Sequence, residues 1–246
     1  MAAPAPNPAL VNAWMARKTQ GLITSILDPQ TVLDPQAILL ANSVFFRASW
    51  SFPFNPLYTS TAPFNRTDGS QAACAMMAQA ATLPYGENAQ YQARLLPYGK
   101  GRFAMLLVLP KPGAAWQDLD PVLQGVPAGL APREVILRMP RFETGFSDGL
   151  DTPLKAMGMA RAFDPDRADF SMLSAIHRHI GSVVHAARMV VDERGTLAAA
   201  GTVVSVSGTS LPETEMTLDR PFLYAILDQG TGGMVFLGQM GDPRRK

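Results

Sequence analysis

Three groups of residues have types and spacings that chemistry could use. Gly145-Phe146-Ser147-Asp148-Gly149 matches G-x-S-x-G, the elbow that exposes a nucleophilic serine between a strand and a helix. Such an elbow requires a parallel sheet upstream, an oxyanion loop, and an acid followed by a histidine downstream. Here the upstream segments read as antiparallel hairpins, there is no HGGG-like stretch, and the histidines follow closely behind the serine. The pentapeptide is read as a turn with two glycines. His177, His179 and His185 form the second group. No carboxylate or cysteine stands at a ligand spacing from them, so no metal site is expected. His185, in an apolar strand, reads as a buried histidine satisfied by a polar neighbour, with Asn42, the lone amide of another apolar strand, as the candidate.

The third group is the segment Asp192 to Ser207. An apolar run, Val183 to Val191, ends in the acidic-basic pair Glu193-Arg194. Gly195 and Thr196 follow, then small residues, then β-branched Val203, Val204 and Val206. Small side chains throughout suit a segment that must slide between two strands, where a large or charged group would clash or be buried unpaired. A stretch that can be both loop and strand is a switch.

The elements that must position these residues follow from periodicity and punctuation. Asn7-Pro8 is an N-cap followed by proline at the first helical position. Val11, Trp14, Met15, Leu22 and Ile26 then recur at helical spacing, with Asn12 on the polar side, and Asp28-Pro29 closes the predicted helix. Ile38 to Phe46 is a dense apolar strand, and a Pro/Asn-rich connection runs from Phe52 to Pro63. Tyr91 to Leu96 and Phe103 to Leu109 form a hairpin across YGKGR, and Phe222 to Leu227 and Met234 to Gln239 another across DQGTGG, so GTGG is a turn and not a phosphate loop. Short helices are predicted at Trp116 to Leu123 and Thr152 to Met159, and strands at Val135 to Phe142 and Val183 to Val191. Antiparallel runs with irregularly spaced helices argue an α+β fold in a single domain.

Composition narrows the function classes. Net charge is +1, with 47% apolar and 17% charged residues, which points to neither nucleic acid nor an anionic membrane. Cys74 is the only cysteine, so no intrachain disulfide is possible, and it is expected to be a buried, inert thiol. No apolar run reaches membrane-spanning length. The start, MAAPAPNPAL, lacks the basic and apolar regions of a signal peptide.

Several segments together resemble one family, the serpins (serine protease inhibitors). NAWMARKTQGLI is similar to the family's N-x-W-x-x-x-x-T-x-G-x-I helix, and LLANSVFFRASW to its central strand. MGMARAF and ADFS, VVHAARMVVDERGTLAAAGT, and MTLDRPFLYAI follow in the family's order. The resemblance runs from about Asn12 to Pro243. It implies a serpin-like α+β fold of mixed, mainly antiparallel sheets, surface helices and a mobile reactive-centre loop at 202–218, and a protein that is not an enzyme. It implies a bait bond near Thr209-Ser210, within one residue. The small residues there fit an elastase-like or subtilisin-like serine protease, trapped as a covalent acyl-enzyme while the cut loop inserts into the main sheet. The implied hinge is Glu193, Gly195, Thr196, Ala198, Ala199, Ala200 and Thr202, with Thr196, Ala198, Ala200 and Thr202 inward and Gly195, Leu197, Ala199 and Gly201 outward. Asn42, Trp50 and His185 match residues that control sheet opening. No cofactor, nucleic acid or membrane partner is implied. A monomer is expected for the complete protein, in an extracellular or cell-envelope setting. About a third of the family's length is expected to be missing at the N-terminal side, leaving a large apolar face exposed. The alternatives are a non-inhibitory serpin-fold binding protein or an inactive truncated fragment.

Overall fold

The computed structural model describes residues 7–31, 34–114, 129–196 and 213–244. Helix α1 (Pro8–Lys18) is followed among the described residues by strands β1 (Ala37–Phe45), β2 (Ala48–Ser49), β3 (Ser60–Asn65), β4 (Gln71–Glu87), β5 (Tyr91–Tyr98), β6 (Phe103–Pro110), β7 (Ala131–Pro140) and β8 (Phe142–Gly149). Then come β9 (His179–Asp192), β10 (Gly195–Thr196), β11 (Glu215–Thr217), β12 (Phe222–Asp228) and β13 (Met234–Met240). The fold is α+β, as expected. The predicted helix from Trp116 lies outside the described residues. Two compact units divide the chain. One combines the segment ending at Phe46 with Gly145–Arg188. The other combines Arg47–Thr144 with the segment starting at Met189.

In the first unit, the Asn7 side chain caps α1 by accepting the Ala9 amide at 2.8 Å. The helix stops at Lys18, about two turns earlier than the apolar spacing predicts. Thr19 caps the C-terminus, and Gln20 (φ 54°) and Gly21 (φ 81°) both turn left-handed, which no helix can absorb. The chain folds back, and Leu22, Ile23 and Ile26 still reach the core, packing on Met15, Ala41 and Ala186. Asn12, expected on the polar side, pins this return: its Oδ1 accepts the Ile26 and Leu27 amides and its Nδ2 donates to the Leu27 carbonyl. Strands β1 and β9 pair directly and in parallel, from Ala37↔His179 to Phe45↔Arg188.

The G-x-S-x-G segment is not a turn but the end of β8, which pairs with β9. The helix predicted from Thr152 is one α turn (Asp151–Leu154) followed by irregular helical turns that kink at Gly158 (φ 105°). Met157, Met172, Leu173 and Ile176 stand exposed in this unit.

The second unit is built on a sheet in the order β11-β7-β4-β5-β6-β12-β13, with β3 also on β4. Both predicted hairpins form, β5–β6 and β12–β13. Residues 215–217, expected within the loop, instead pair in parallel with β7. One face of the sheet buries Tyr91, Ala93, Leu95, Leu106, Val108 and Leu227. Cys74 is buried, which raises its thiol pKa, and its Sγ lies 3.5 Å from the Ala62 carbonyl.

Candidate functional site

The site is the turn at the end of β9 and the strand that leaves it, all within the second unit. Asp192 Oδ1 accepts the amides of Arg194 (2.8 Å) and Gly195 (3.2 Å), the side-chain-to-backbone pattern that makes Asp a turn former. The chain reverses over Glu193-Arg194. Gly195 and Thr196 return antiparallel, opposite Asp192 and Val191. On their other side they pair antiparallel with β2, Gly195↔Ser49 and Thr196↔Ala48. Strand β10 is short, but it is an interior strand with both edges used.

Gly195 is buried. Its φ is 148°, and a Cβ there would lie 2.2 Å from the Ala48 carbonyl oxygen, so only glycine fits. Thr196 is wholly buried. Its Oγ1 lies 2.7 Å from the Tyr98 hydroxyl, in a pocket dry enough to push the Tyr98 phenol pKa well above its usual range. Trp50 is buried too. Its ring stacks on Tyr98 at 4.3 Å, its Nε1 donates to the Asp192 carbonyl (2.9 Å), and its backbone N donates to Arg194 O (2.9 Å).

Glu193 carries the charge of the site. The sequence pairs it with Arg194, but Arg194 is exposed and the Glu193 carboxylate turns inward, 5% exposed. Arg141 Nε donates to both carboxylate oxygens (2.8 and 2.7 Å), and the Thr59 hydroxyl donates to Oε1. Burial alone would raise the Glu193 pKa. The donors from Arg141 and Thr59 outweigh it, and the net shift is downward. The same bonds, acting against burial, hold the Arg141 guanidinium above its usual value.

The remaining expected residues lie elsewhere. Asn42 and His185 are direct cross-strand neighbours in the β1–β9 pair of the first unit. His185 is half-buried rather than buried, its ring 6.1 Å from Phe146, and Asn42 is exposed. His177 hydrogen-bonds through Nε2 to the Pro165 carbonyl, and His179 lies 3.8 Å from Asp34, so the three histidines have separate surroundings. Ala198, Ala199, Ala200, Thr202, Thr209 and Ser210 lie outside the described residues. Arg141, Thr59 and Tyr98 were not anticipated. For Arg141 the sequence offered only a charge near the end of the predicted strand Val135 to Phe142.

A sequence model of the serpins (serine protease inhibitors) matches residues 2–243. The chain belongs to the serpin family. Among relatives of this serpin are plasminogen activator inhibitor 1 of Neovison vison, 31% identical over 95% of this chain and 61% of that protein, and antithrombin-III of Mus musculus, 30% identical over 98% of this chain and 54% of that protein. Among solved structures, the thermophilic serpin tengpin in its native state superposes with a TM-score of 0.82 at 27% identity, covering 98% of this serpin and 64% of tengpin. The chain therefore spans less than two thirds of the length of these relatives.

Proposed function

We propose that this serpin is the sheet-and-loop portion of a serine protease inhibitor that works by bait-loop insertion. The protease attacks near Thr209-Ser210 and forms an acyl-enzyme. Cutting frees the segment after Thr196 to enter the main sheet as a new strand, carrying the attached protease with it. Serpin loop insertion is itself a known instance of strand addition and of released strain. About ten new ladder hydrogen bonds, each worth about 1 kcal/mol net, would favour insertion.

One observation supports this reading above the others. Gly195 and Thr196 already sit as an interior strand between β9 and β2, while in the first unit β1 and β9 are still joined directly. A short interior strand at this position supports a reading in which the segment after it adds to the sheet. The inward hinge positions after Thr196 (Ala198, Ala200, Thr202) are small and uncharged, as burial demands. Small residues around Thr209 favour an elastase-like or subtilisin-like target. The test is incubation of the chain with an elastase and a subtilisin. A detergent-stable complex of summed mass is the expected product. Cleavage with free turnover of the protease would assign the chain to a serpin-fold binding protein or an inactive fragment.

A further inference from the structure

Exposed apolar side chains are ordinary when scattered singly. Phe52, Leu57 and Tyr58 are not scattered. They fall within seven positions of one another and are 42%, 87% and 62% exposed. Nor are they loosely held. Phe54, between them, is buried, with its ring 6.3 Å from that of Trp50. Pro56–Tyr58 is one turn of 3-10 helix, capped by Asn55, whose Oδ1 accepts the Leu57 amide at 3.0 Å. A backbone already fixed in this way offers its side chains to a partner with little ordering left to be done.

Two arginines border these residues. Trp50 N donates to Arg194 O and Phe54 N to Glu193 O, at 2.9 Å each, so Phe52 belongs to a stretch laid along the Glu193-Arg194 turn. Tyr58 precedes Thr59, whose hydroxyl donates to the same Glu193 oxygen that Arg141 Nε reaches. Of the charged residues at the turn, Glu193 is buried and Asp192 is half-buried, its Oδ1 taken up by the Arg194 and Gly195 amides. Arg141 and Arg194 are the exposed ones. Tyrosine and arginine are among the types that carry most of the binding energy at protein interfaces.

We propose that Phe52, Leu57, Tyr58 and Arg194 form a second docking surface for the attacking protease, one that takes an apolar patch with an acidic rim on the enzyme. The inference rests on the bait-loop reading and adds to it where the enzyme touches this chain outside the bait. The occupant follows from position. On one side of the bait, β10 pairs with β2 directly after Arg194. On the other, β11 lies on β7, the strand that ends at Pro140, next to Arg141. The patch therefore stands by both roots of the bait. Ser210 is five positions before Glu215, a tether of at most about 20 Å. A protease–inhibitor interface covers about 800 Å² of each partner, roughly 30 Å across. Tether and footprint are of one scale, so the enzyme drawn to the bait is the partner that this ground meets.

The probes are an elastase and a subtilisin with the nucleophilic serine replaced by alanine, which bind a bait without cutting it. Surface plasmon resonance reads their affinity for the chain. Leu57→Ser combined with Tyr58→Ser should raise Kd about tenfold for the protease that the parent chain binds. Arg194→Glu should slow association and flatten its dependence on salt. Met172→Ser, which removes a fully exposed apolar side chain in the other unit, should change neither. If the Leu57 and Tyr58 variants bind as tightly as the parent chain, the docking surface is overturned and the bait reading stands. If the parent chain binds neither probe, the bait reading and the docking surface fall together. Self-association of the parent chain in analytical ultracentrifugation, lost in the same variants, would assign the patch to a second copy and overturn the proposal. Should Tyr58→Ser fail to fold by circular dichroism, Leu57→Ser alone decides.

Discussion

The Glu193 carboxylate and the Arg141 guanidinium, 52 residues apart in sequence, meet with Arg141 Nε 2.8 Å from Oε1 and 2.7 Å from Oε2. The pair is unequal. The Glu193 side chain is 5% exposed and that of Arg141 is 49% exposed. Removing either end therefore has different consequences.

Arg141→Met takes the cationic donor from a buried carboxylate and leaves it the Thr59 hydroxyl and its own backbone amide. It should lower unfolding free energy by about 2–3 kcal/mol, the low side of what breaking a buried pair costs, because one partner is half in water. Glu193→Gln leaves a guanidinium that water can solvate and should cost about 1 kcal/mol. Urea unfolding of both variants checks the order. A larger loss for Glu193→Gln would contradict it.

The same carboxyl sets a pH dependence. Its folded-state pKa lies below the ordinary value of 4.5 because the donors from Arg141 and Thr59 outweigh burial. A depressed carboxyl contributes stability that is fully present above the unfolded-state value and is lost as pH falls through the folded one. Thermal midpoints of the parent chain and Glu193→Gln should therefore differ at pH 7 and converge as the pH drops below about 4.5. Parallel curves down to strong acid would show that Glu193 is not the group responsible.

Gly195→Ala is expected to destabilise by at least about 2 kcal/mol, through a disfavoured backbone and a Cβ driven into Ala48. Gly113→Ala is the control. Its φ is also positive (84°), but nothing lies within 4 Å of the added carbon. Differential scanning calorimetry should place Gly195→Ala below Gly113→Ala, and equal midpoints would remove the steric part of the argument.

Parity along the hinge gives a functional prediction. Ala200→Asp would put an unpaired carboxylate on the buried face of an inserted strand, and Ala199→Asp would put it on the open face. With a protease that the parent chain traps, Ala200→Asp should be cut and turned over without a detergent-stable band. Ala199→Asp should retain trapping. Equal behaviour of the two on a gel would argue against strand insertion.

Much of the fold was legible because its signals are local. Asn7-Pro8 starts α1, and the glycine turns of YGKGR and DQGTGG join the strands predicted on either side. Strand β4 was missed because its apolar content is mostly Ala and Met, and it carries Pro84, so neither period nor β-branched enrichment marks it. The end of α1 was misjudged because Leu22 and Ile26 keep a helical spacing while reaching the core by a folded-back path pinned from Asn12. At the site, Gly195, Thr196 and Trp50 could be singled out in sequence because each stands in a marked motif. Arg141, Thr59 and Tyr98 could not, because what makes them matter is a partner more than fifty positions away. Composition carries no information about which distant residue will face a buried carboxylate or hydroxyl.

The direction of β10 has a further consequence. Strands β1 and β9 run the same way, and β10 runs against both β9 and β2. Both ladders of β10 are thus antiparallel, with bonds perpendicular to the strands, the slightly stronger arrangement per residue, whereas β1–β9 is held by slanted, evenly spaced bonds. Residue for residue, the short strand at the site is the more firmly laddered of the two.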